Sequence, residues 1–450
     1  MNRPLAVLIL AAGQGTRMKS AHPKVLHQIA NRPMIGHAVA AVEALKPERM
    51  MAVIGPGMEP VADAIAPVPT VVQALQRGTG DAVRAARSAL DGFAGDVLVL
   101  YGDTPLVSSE TLAKLLAERQ RADAAVAVIG MRPPEPGGYG RLVLGKDNAL
   151  EAIVEAKDAS EAQRKIVLCN SGVMAIDGQH LWPLLDAVGN SNAKHEYYLT
   201  DIVGIARARG LACAALEAPL DEMMGVNSRA ELAAAEAVMQ RRLRAHHMAE
   251  GVTFTAPETV FLSADTKLGR DCVVGPFVVF GPEVAIGEGV EIPAFCHVAG
   301  ATVGDRAILG PFARLRPGAQ LADDVHIGNF VEVKNAKLAT GVKANHLAYL
   351  GDASVGAGTN IGAGTITCNY DGIDKHVTEI GKDVFVGTNS SLVAPVKIGD
   401  GAMIGAGSVI TEDVPADALA LGRGRQVVKE GRAAAWKAQK RATNSKKKKR

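Results

Sequence analysis

An apolar run at residues 6–10 leads into Ala11-Ala12-Gly13-Gln14-Gly15-Thr16-Arg17-Met18, and Lys24 follows within Pro23-Lys24-Val25-Leu26. Small residues at such a turn let a nucleotide reach the backbone amides, which hold phosphate oxygens. Arg17 and Lys24 add charge suited to a triphosphate. Taken alone, a glycine turn after a strand also fits an ordinary strand-to-helix connection; the spacing of Gly13, Gly15, Thr16-Arg17 and Lys24 is more specific. Asp103, in Tyr101-Gly102-Asp103, follows a second apolar run at 97–100. A carboxylate at the carboxyl end of a strand overlooks the crevice where α/β proteins bind ligands. Its plainer reading is a turn or a helix cap.

A second set lies beyond residue 300. Arg314-Leu315-Arg316-Pro317-Gly318 puts two cations beside a turn, and Glu332 and Lys334 flank Val333. Asn345-His346-Leu347-Ala348-Tyr349-Leu350-Gly351-Asp352 places one His and one Tyr among small residues. Asn360, Gly362-Ala363-Gly364-Thr365 and Asn369-Tyr370-Asp371-Gly372 follow. An imidazole titrates near neutrality and suits the removal of a proton from an amine. A lone His in a repeat is more often structural, and repeat arrays often serve only as oligomerising scaffolds.

The elements that must position these residues differ between the two halves. Runs at 6–10, 51–54, 97–100 and 124–129 read as strands, with helical stretches at 33–45 and 108–119 between them. That rhythm predicts a mostly parallel sheet with helices on both faces, an α/β fold. Residues 229–250 are rich in Ala, Glu and Arg without Gly or Pro, and predict one long helix linking two domains. After about residue 252 an aliphatic residue recurs every six positions, beginning Leu268, Val274, Phe280, Ile286, Ile292, Val298 and ending at Ile410. A hexapeptide period predicts a parallel β-helix, three hexads to a triangular coil. The step shortens to five after Val298, Val333 and Leu350, which puts the slips at one corner. Residues 368–379 break the period and must loop out.

With 450 residues, 48% of them apolar, two domains are expected. A formal net charge of +2 weighs against a nucleic-acid protein. Residues 441–450 read as a disordered, solvated basic tail. The five cysteines, Cys169, Cys213, Cys272, Cys296 and Cys368, are odd in number with no CxxC pair, which fits a reducing, cytoplasmic setting. The run at 5–12 is too short to span a membrane.

The first motif set resembles the GxGTRM…PK motif of the sugar-nucleotide pyrophosphorylases. Gln73 with Gly78-Thr79 resembles the base-recognition segment of uridylyl members, and Gly138-Tyr139-Gly140-Arg141, Glu155, Asn170 and Asn227 extend the match. The second set closely resembles the acetyltransferase half of bifunctional UDP-N-acetylglucosamine pyrophosphorylases/glucosamine-1-phosphate N-acetyltransferases. The resemblance covers nearly the whole chain and implies a Rossmann-like nucleotidyltransferase domain (1–228), a linker helix (229–250) and a left-handed β-helix acetyltransferase domain (251–440). It implies that Leu10, Ala11, Ala12, Gly13, Lys24, Gln73, Gly78, Thr79, Tyr101, Gly102 and Asp103 hold the UDP-sugar, with Gly140, Glu155, Asn170 and Asn227. Asp103 and Asn227 hold Mg²⁺, and Lys24 and Arg17 assist transfer from UTP. His346 is the acetyl-transfer base. Arg316, Lys334, Tyr349 and Asn360 bind glucosamine 1-phosphate, and Ala363, Asn369, Tyr370, Thr388, Ala406 and Arg423 bind acetyl-CoA. A homotrimer is implied, without nucleic acid or membrane. Two departures stand out: Thr388 replaces an expected Ser, and Asn335 an expected second Lys beside Lys334. Two rival readings remain: a nucleotidylyltransferase whose solenoid only trimerises, and a non-catalytic solenoid module.

Overall fold

The computed structural model describes residues 3–145 and 149–447. The chain forms two compact units, residues 1–249 with 261–266, and residues 250–260 with 267–450. The first unit holds a nine-stranded sheet: β1 (Leu5–Leu10), β2 (Arg49–Ile54), β3 (Thr70–Val72), β4 (Asp96–Tyr101), β5 (Val126–Met131), β6 (Arg141–Leu144), β7 (Leu150–Val154), β8 (Cys169–Asp177) and β9 (Cys213–Glu217). The main order is β9-β5-β8-β4-β1-β2-β3, with the β6–β7 hairpin attached to β8. Only β8 runs against its neighbours β4 and β5 along this path. Both faces are covered, which is why β1 is buried at all six positions. Val7 and Ile9 join one core, and Ala6, Leu8 and Leu10 the other. The chain leaves β1 towards β2 and β3, then returns to lay β4 on the other side of β1. That switch point opens a crevice beyond the ends of β1 and β4.

The helix expected over 229–250 forms as Arg229–Ala249, but it is not a free linker. Ala235 and Val238 pack with Ile29, Met34, Leu106 and Val226. Glu236 accepts the Ala30 N–H at 2.8 Å, and the Gln240 side chain both donates to and accepts from the Leu262 backbone, at 2.7 and 2.9 Å. The Ala264 N–H donates to the Ala30 carbonyl at 2.8 Å. The helix and residues 261–266 therefore belong to the first unit, and the expected boundary at 228 moves. Alanine-rich composition gave the helix, but it hid the polar pairs that dock it.

The second unit is a parallel β-helix with three faces. Val274, Ile292, Leu309, Ile327, Ala344 and Ile361 stack on face 1. Phe280, Val298, Leu315, Val333 and Leu350 stack on face 2. Leu268, Ile286, Val303, Leu321, Leu338 and Val355 stack on face 3. All three five-residue steps fall at the corner from face 2 to face 3. The interruption falls there too, between Thr367 on face 2 and Ile380 on face 3. Residues 441–447, expected to be disordered, continue the helix Arg432–Lys447, which is exposed through Ser445, and 448–450 lie outside the described residues. Alanine and lysine are strong helix formers, which explains order without packing. Among the described residues no helix is long and apolar enough to cross a membrane.

Candidate active sites

A cavity of about 350 Å³ lies at the crevice beyond β1 and β4. Leu10, Ala11, Ala12, Gly13, Lys24, Gln73, Gly78, Thr79, Tyr101 and Asp103 all line it. Gly15 has φ +65°, and a Cβ there would lie 2.4 Å from the Lys24 Cβ, so glycine lets the lysine stem rest on the turn. Lys24 is buried. Its ammonium bonds the Asp103 carboxylate and donates to Asn227 Oδ1 at 2.9 Å. The Val226 N–H donates to the Asp103 carbonyl at 2.9 Å, which ties the Asn227 segment to the end of β4. Gln73 donates to Gly78 O and Asp81 Oδ2 at 3.0 and 2.9 Å.

Gly140, Glu155 and Asn170 form a neighbouring cluster. The Asn170 N–H donates to the Gly140 carbonyl at 2.8 Å, and the Glu155 carboxylate accepts from Thr200. Burial raises the Glu155 carboxyl above the usual range, against the Thr200 hydrogen bond. Burial likewise raises the Tyr101 phenol. Six expected residues fall outside the cavity wall: Gly140, Glu155 and Asn170 form the neighbouring cluster, Asn227 meets the Lys24 ammonium, Gly102 is buried beneath the wall, and Arg17 is exposed on the turn Thr16–Met18. Gln76 and Glu196 line the cavity without having been expected. Gln76 lies within the recognised 73–79 segment; Glu196 comes from a distant loop that carries no motif.

On the solenoid, the corner from face 1 to face 2 carries a column. His346 stacks on Asn329, and its Nδ1 lies 2.9 Å from Asn329 Oδ1. Ala363, Thr388 and Ala406 follow one coil apart, linked by backbone bonds from Gly364, Asn389 and Gly407. Arg423 Nη1 donates to the Ala406 carbonyl at 2.7 Å and closes the column. The same corner bears an exposed ladder, Phe277, Phe295, Phe312 and Phe330, with ring centroids 4.9–5.1 Å apart. Asn329 was missed by the sequence reading, although it sits one coil before His346 in the period.

The opposite edge of face 2 carries the cations. Arg316 pairs with Glu332 at 2.8 Å, so Glu332 is committed to an ion pair. Lys334 stands beside Lys375 from the looped-out segment. That neighbouring ammonium, with Arg316 further off, pushes Lys334 below the usual lysine range. Clustered positive charge of this kind is suited to a phosphate. Lys375 was also missed, because the interruption breaks the period. Asn335 donates to Asp352 at 2.5 Å, which links two successive coils, and Asn369 donates to the same carboxylate, which ties the loop to the coil. The Tyr370 hydroxyl donates to Gly372 O at 2.6 Å. Asp371 is held at about 2 by His376 and by backbone N–H groups. Tyr349 lies on face 2; a Cβ on Gly351 would sit 2.4 Å from its hydroxyl. Asn360 points out from face 1. The expected sugar-phosphate set, Arg316, Lys334, Tyr349 and Asn360, is therefore spread over two faces and a corner within one chain.

A nucleotide-sized cavity at a sheet's switch point, joined to a hexapeptide β-helix with a His column, defines a two-domain transferase. Comparisons agree. Residues 7–170 match the MobA-like NTP transferase domain, and residues 265–300 and 378–412 match the bacterial transferase hexapeptide repeats. The chain is 61% identical to the bifunctional protein GlmU of Rhodospirillum rubrum, over 98% of this chain and 99% of that one. It is 56% identical to the GlmU of Paramagnetospirillum magneticum, over 98% and 99%, and 52% identical to that of Agrobacterium fabrum over the full length of both. The chain belongs to the bifunctional GlmU family, and it is an acetyltransferase and uridylyltransferase of cell-wall synthesis.

Proposed function

We propose that the solenoid acetylates glucosamine 1-phosphate from acetyl-CoA, and that the first unit couples the product to UTP with release of pyrophosphate. The observation that carries the uridylyl assignment is the closure of Asp103 and Asn227 on one ammonium in the cavity. Two oxygens that already hold a cation fit Mg²⁺, which takes few protein ligands and completes its shell with water and phosphate oxygens. When bound there, Mg²⁺ supplies charge neutralisation to the triphosphate. Gln73 spends its amide hydrogens on Gly78 and Asp81, which leaves its carbonyl oxygen for the N–H of uracil. Gly140, Glu155 and Asn170 take the sugar. A sugar-phosphate oxygen attacks the α-phosphorus as the bond to pyrophosphate breaks, and Lys24 steadies the charge.

In acetyl transfer, the Asn329 oxygen accepts from His346 Nδ1, so Nε2 carries the lone pair. Nε2 takes a proton from the sugar amine as nitrogen bonds the acetyl carbon. The carbon–sulfur bond breaks and the proton passes to the CoA thiolate. The Ala363–Thr388–Ala406–Arg423 column is the acetyl-CoA strip, and Asn369 and Tyr370, which follow Thr367 at the opposite edge of face 2, reach the cofactor bound on a neighbouring copy's column. Arg316, Lys334 and Lys375 take the sugar phosphate, with Tyr349 and Asn360. His346 and those cations sit on opposite edges of face 2, so a neighbouring copy in a homotrimer closes each site. The phenyl ladder supports this. Each Phe is held in the left-handed region, at a cost of about 1–2 kcal/mol, yet its ring is exposed. The free cysteines fit a cytoplasmic setting.

The test mixes two variants, Lys334→Ala and His346→Ala, after dissociation. A site shared between copies predicts that each alone is inactive and that the equal mixture regains about a quarter of wild-type CoA release. No recovery, with trimers present, sinks the shared site. Pyrophosphate release by either variant at the wild-type rate is the control for the first unit.

A further inference from the structure

The charge of this chain is divided unevenly. It holds 49 Lys and Arg against 47 Asp and Glu. Nine of the basic residues and none of the acidic ones lie in residues 431–450, which leaves residues 1–430 with 40 against 47, a formal net −7. A near-neutral total thus hides an acidic body with a segment of +9. Most of that segment is the helix Arg432–Lys447, whose side chains are exposed through Ser445. The acidic body does not cover it. Arg432, Trp436 and Lys440 fall four residues apart on one stripe, and Lys440 Nζ lies 5.8 Å from the Trp436 ring centroid. Ala434, Ala438 and Ala442 make a second stripe. Trp436 is 57% exposed and is the sole aromatic residue of the segment.

We infer that this helix docks the enzyme on a bilayer surface bearing anionic phospholipid. Clustered Lys and Arg are drawn to the negative leaflet, and a Trp flanked by cations sits at the headgroup boundary. Single-stranded nucleic acid is the other polyanion such charge suits, but that binding relies on successive aromatics as stacking platforms. One Trp in twenty residues favours the bilayer. The helix lies on the surface and does not span it, being too short and too charged.

The test is co-sedimentation of the full chain with vesicles of mixed phosphatidylglycerol and phosphatidylcholine, against phosphatidylcholine alone. Binding is expected on the anionic vesicles only, falling at least about tenfold from low to high salt. Joint replacement Lys437→Glu, Lys440→Glu and Arg441→Glu should cost about a hundredfold, and Trp436→Ala only a few-fold at unchanged charge. A chain ended at Glu430 should not bind. Both activities, measured on each variant, report folding; none of these residues belongs to either site. Equal binding to neutral vesicles, or anionic binding that survives the charge reversal, overturns the inference. So does tight binding of a single-stranded RNA without vesicle binding. A raised KM for acetyl-CoA in the shortened chain, with no vesicle binding in the full one, makes the segment a substrate arm and equally overturns it.

Discussion

The cavity of the first unit and the corners of the solenoid, the two places proposed to take a sugar phosphate, differ in the kind of geometry they offer. In the first unit, residues as far apart as Leu10 and Asn227 meet in one place, because strand ends and their loops converge at a switch point. In the solenoid, each coil repeats the last with a small translation, so residues at one corner stack into a column and cannot cross a face. His346 and Lys334 are 12 positions apart in sequence yet occupy opposite edges of face 2. A sheet gathers a site within one chain. A solenoid keeps its corners apart, and on the proposed reading a neighbouring copy brings the two half-sites together.

The largest expected effect tests the solenoid half. His346→Ala should lower kcat for CoA release by roughly 10²–10⁴-fold, the usual contribution of a general base, and leave pyrophosphate release unchanged. A packed but idle histidine would instead lower thermal stability with activity in proportion to folded protein. Near wild-type acetylation by a stable variant removes His346 as the base. Glu332 is then a poor substitute, since it is committed to Arg316.

The counterpart in the first unit is Asp103→Asn. Loss of one anionic ligand should lower pyrophosphate release by about 10²-fold at ordinary Mg²⁺, partly restored by excess Mg²⁺, with CoA release untouched. A folded variant with full uridylyl transfer rejects the metal role and leaves Asp103 as a partner of Lys24 alone.

Independence of the halves is tested by where the first unit is cut. A fragment ending at residue 228 loses the helix that buries Ala235 and Val238, and with it the Glu236 and Gln240 bonds. A fragment ending at 266 keeps them. The longer fragment should transfer uridylyl groups at the full rate. The shorter one should be less stable by a few kcal/mol, about the loss of two buried aliphatic contacts and their hydrogen bonds. Equal melting temperatures would return the helix to the role of spacer.

Most of this architecture was legible from periodicity. The strand rhythm gave the mostly parallel sheet, and the hexads gave face, register and even the irregular corner, because a β-helix writes its coil length directly into the sequence. Lys24 and Asp103 stood out by motif spacing and position, and the structure brings them together at one cavity; His346 stood out by resemblance to a family motif. Glu196 and Lys375 did not stand out, since one comes from a loop without a motif and the other from the segment that breaks the period. The docking of Arg229–Ala249 was hidden for a related reason. Beside the small apolar patch of Ala235 and Val238, its anchors are the polar Glu236 and Gln240, and an apolar pattern does not report hydrogen bonds to a distant backbone. The division of the sugar-phosphate set between faces needed coordinates, because motif matching reports identity without position.

Acid provides a further contrast. Burial holds His37 at about 4, against an ordinary 6.5, with its Nε2 on the Ile29 carbonyl. The unfolded chain takes up this proton below 6.5 while the folded unit resists until about 4. The first unit should therefore lose stability as pH falls through that window, by about 3 kcal/mol. His37→Gln should flatten the slope in a melting series from pH 8 to 4, and the solenoid transition should not respond to it. An unchanged slope would assign the acid sensitivity to other groups.

The smallest expected effect concerns Asn329, which acts through His346. Its side-chain oxygen accepts from Nδ1 at 2.9 Å and thereby keeps the lone pair on Nε2, the nitrogen proposed to act as the base. Asn329→Ala frees the ring to rotate and to adopt the other tautomer. The cost should be near that of one hydrogen bond, about 1.4 kcal/mol or tenfold in kcat. KM for both acetyl-transfer substrates should hold if Asn329 acts through His346 alone. Asn329→Asp keeps an oxygen at the same place and should retain most of the rate. A scaffold role forecasts something else. Asn329 stacks between Phe312-level and His346-level coils, so a structural loss would appear as a lower melting temperature or fewer trimers, and Asp would not repair it. Equal kcat for Asn329→Ala and wild type, at equal stability, would show that the column orients His346 without Asn329.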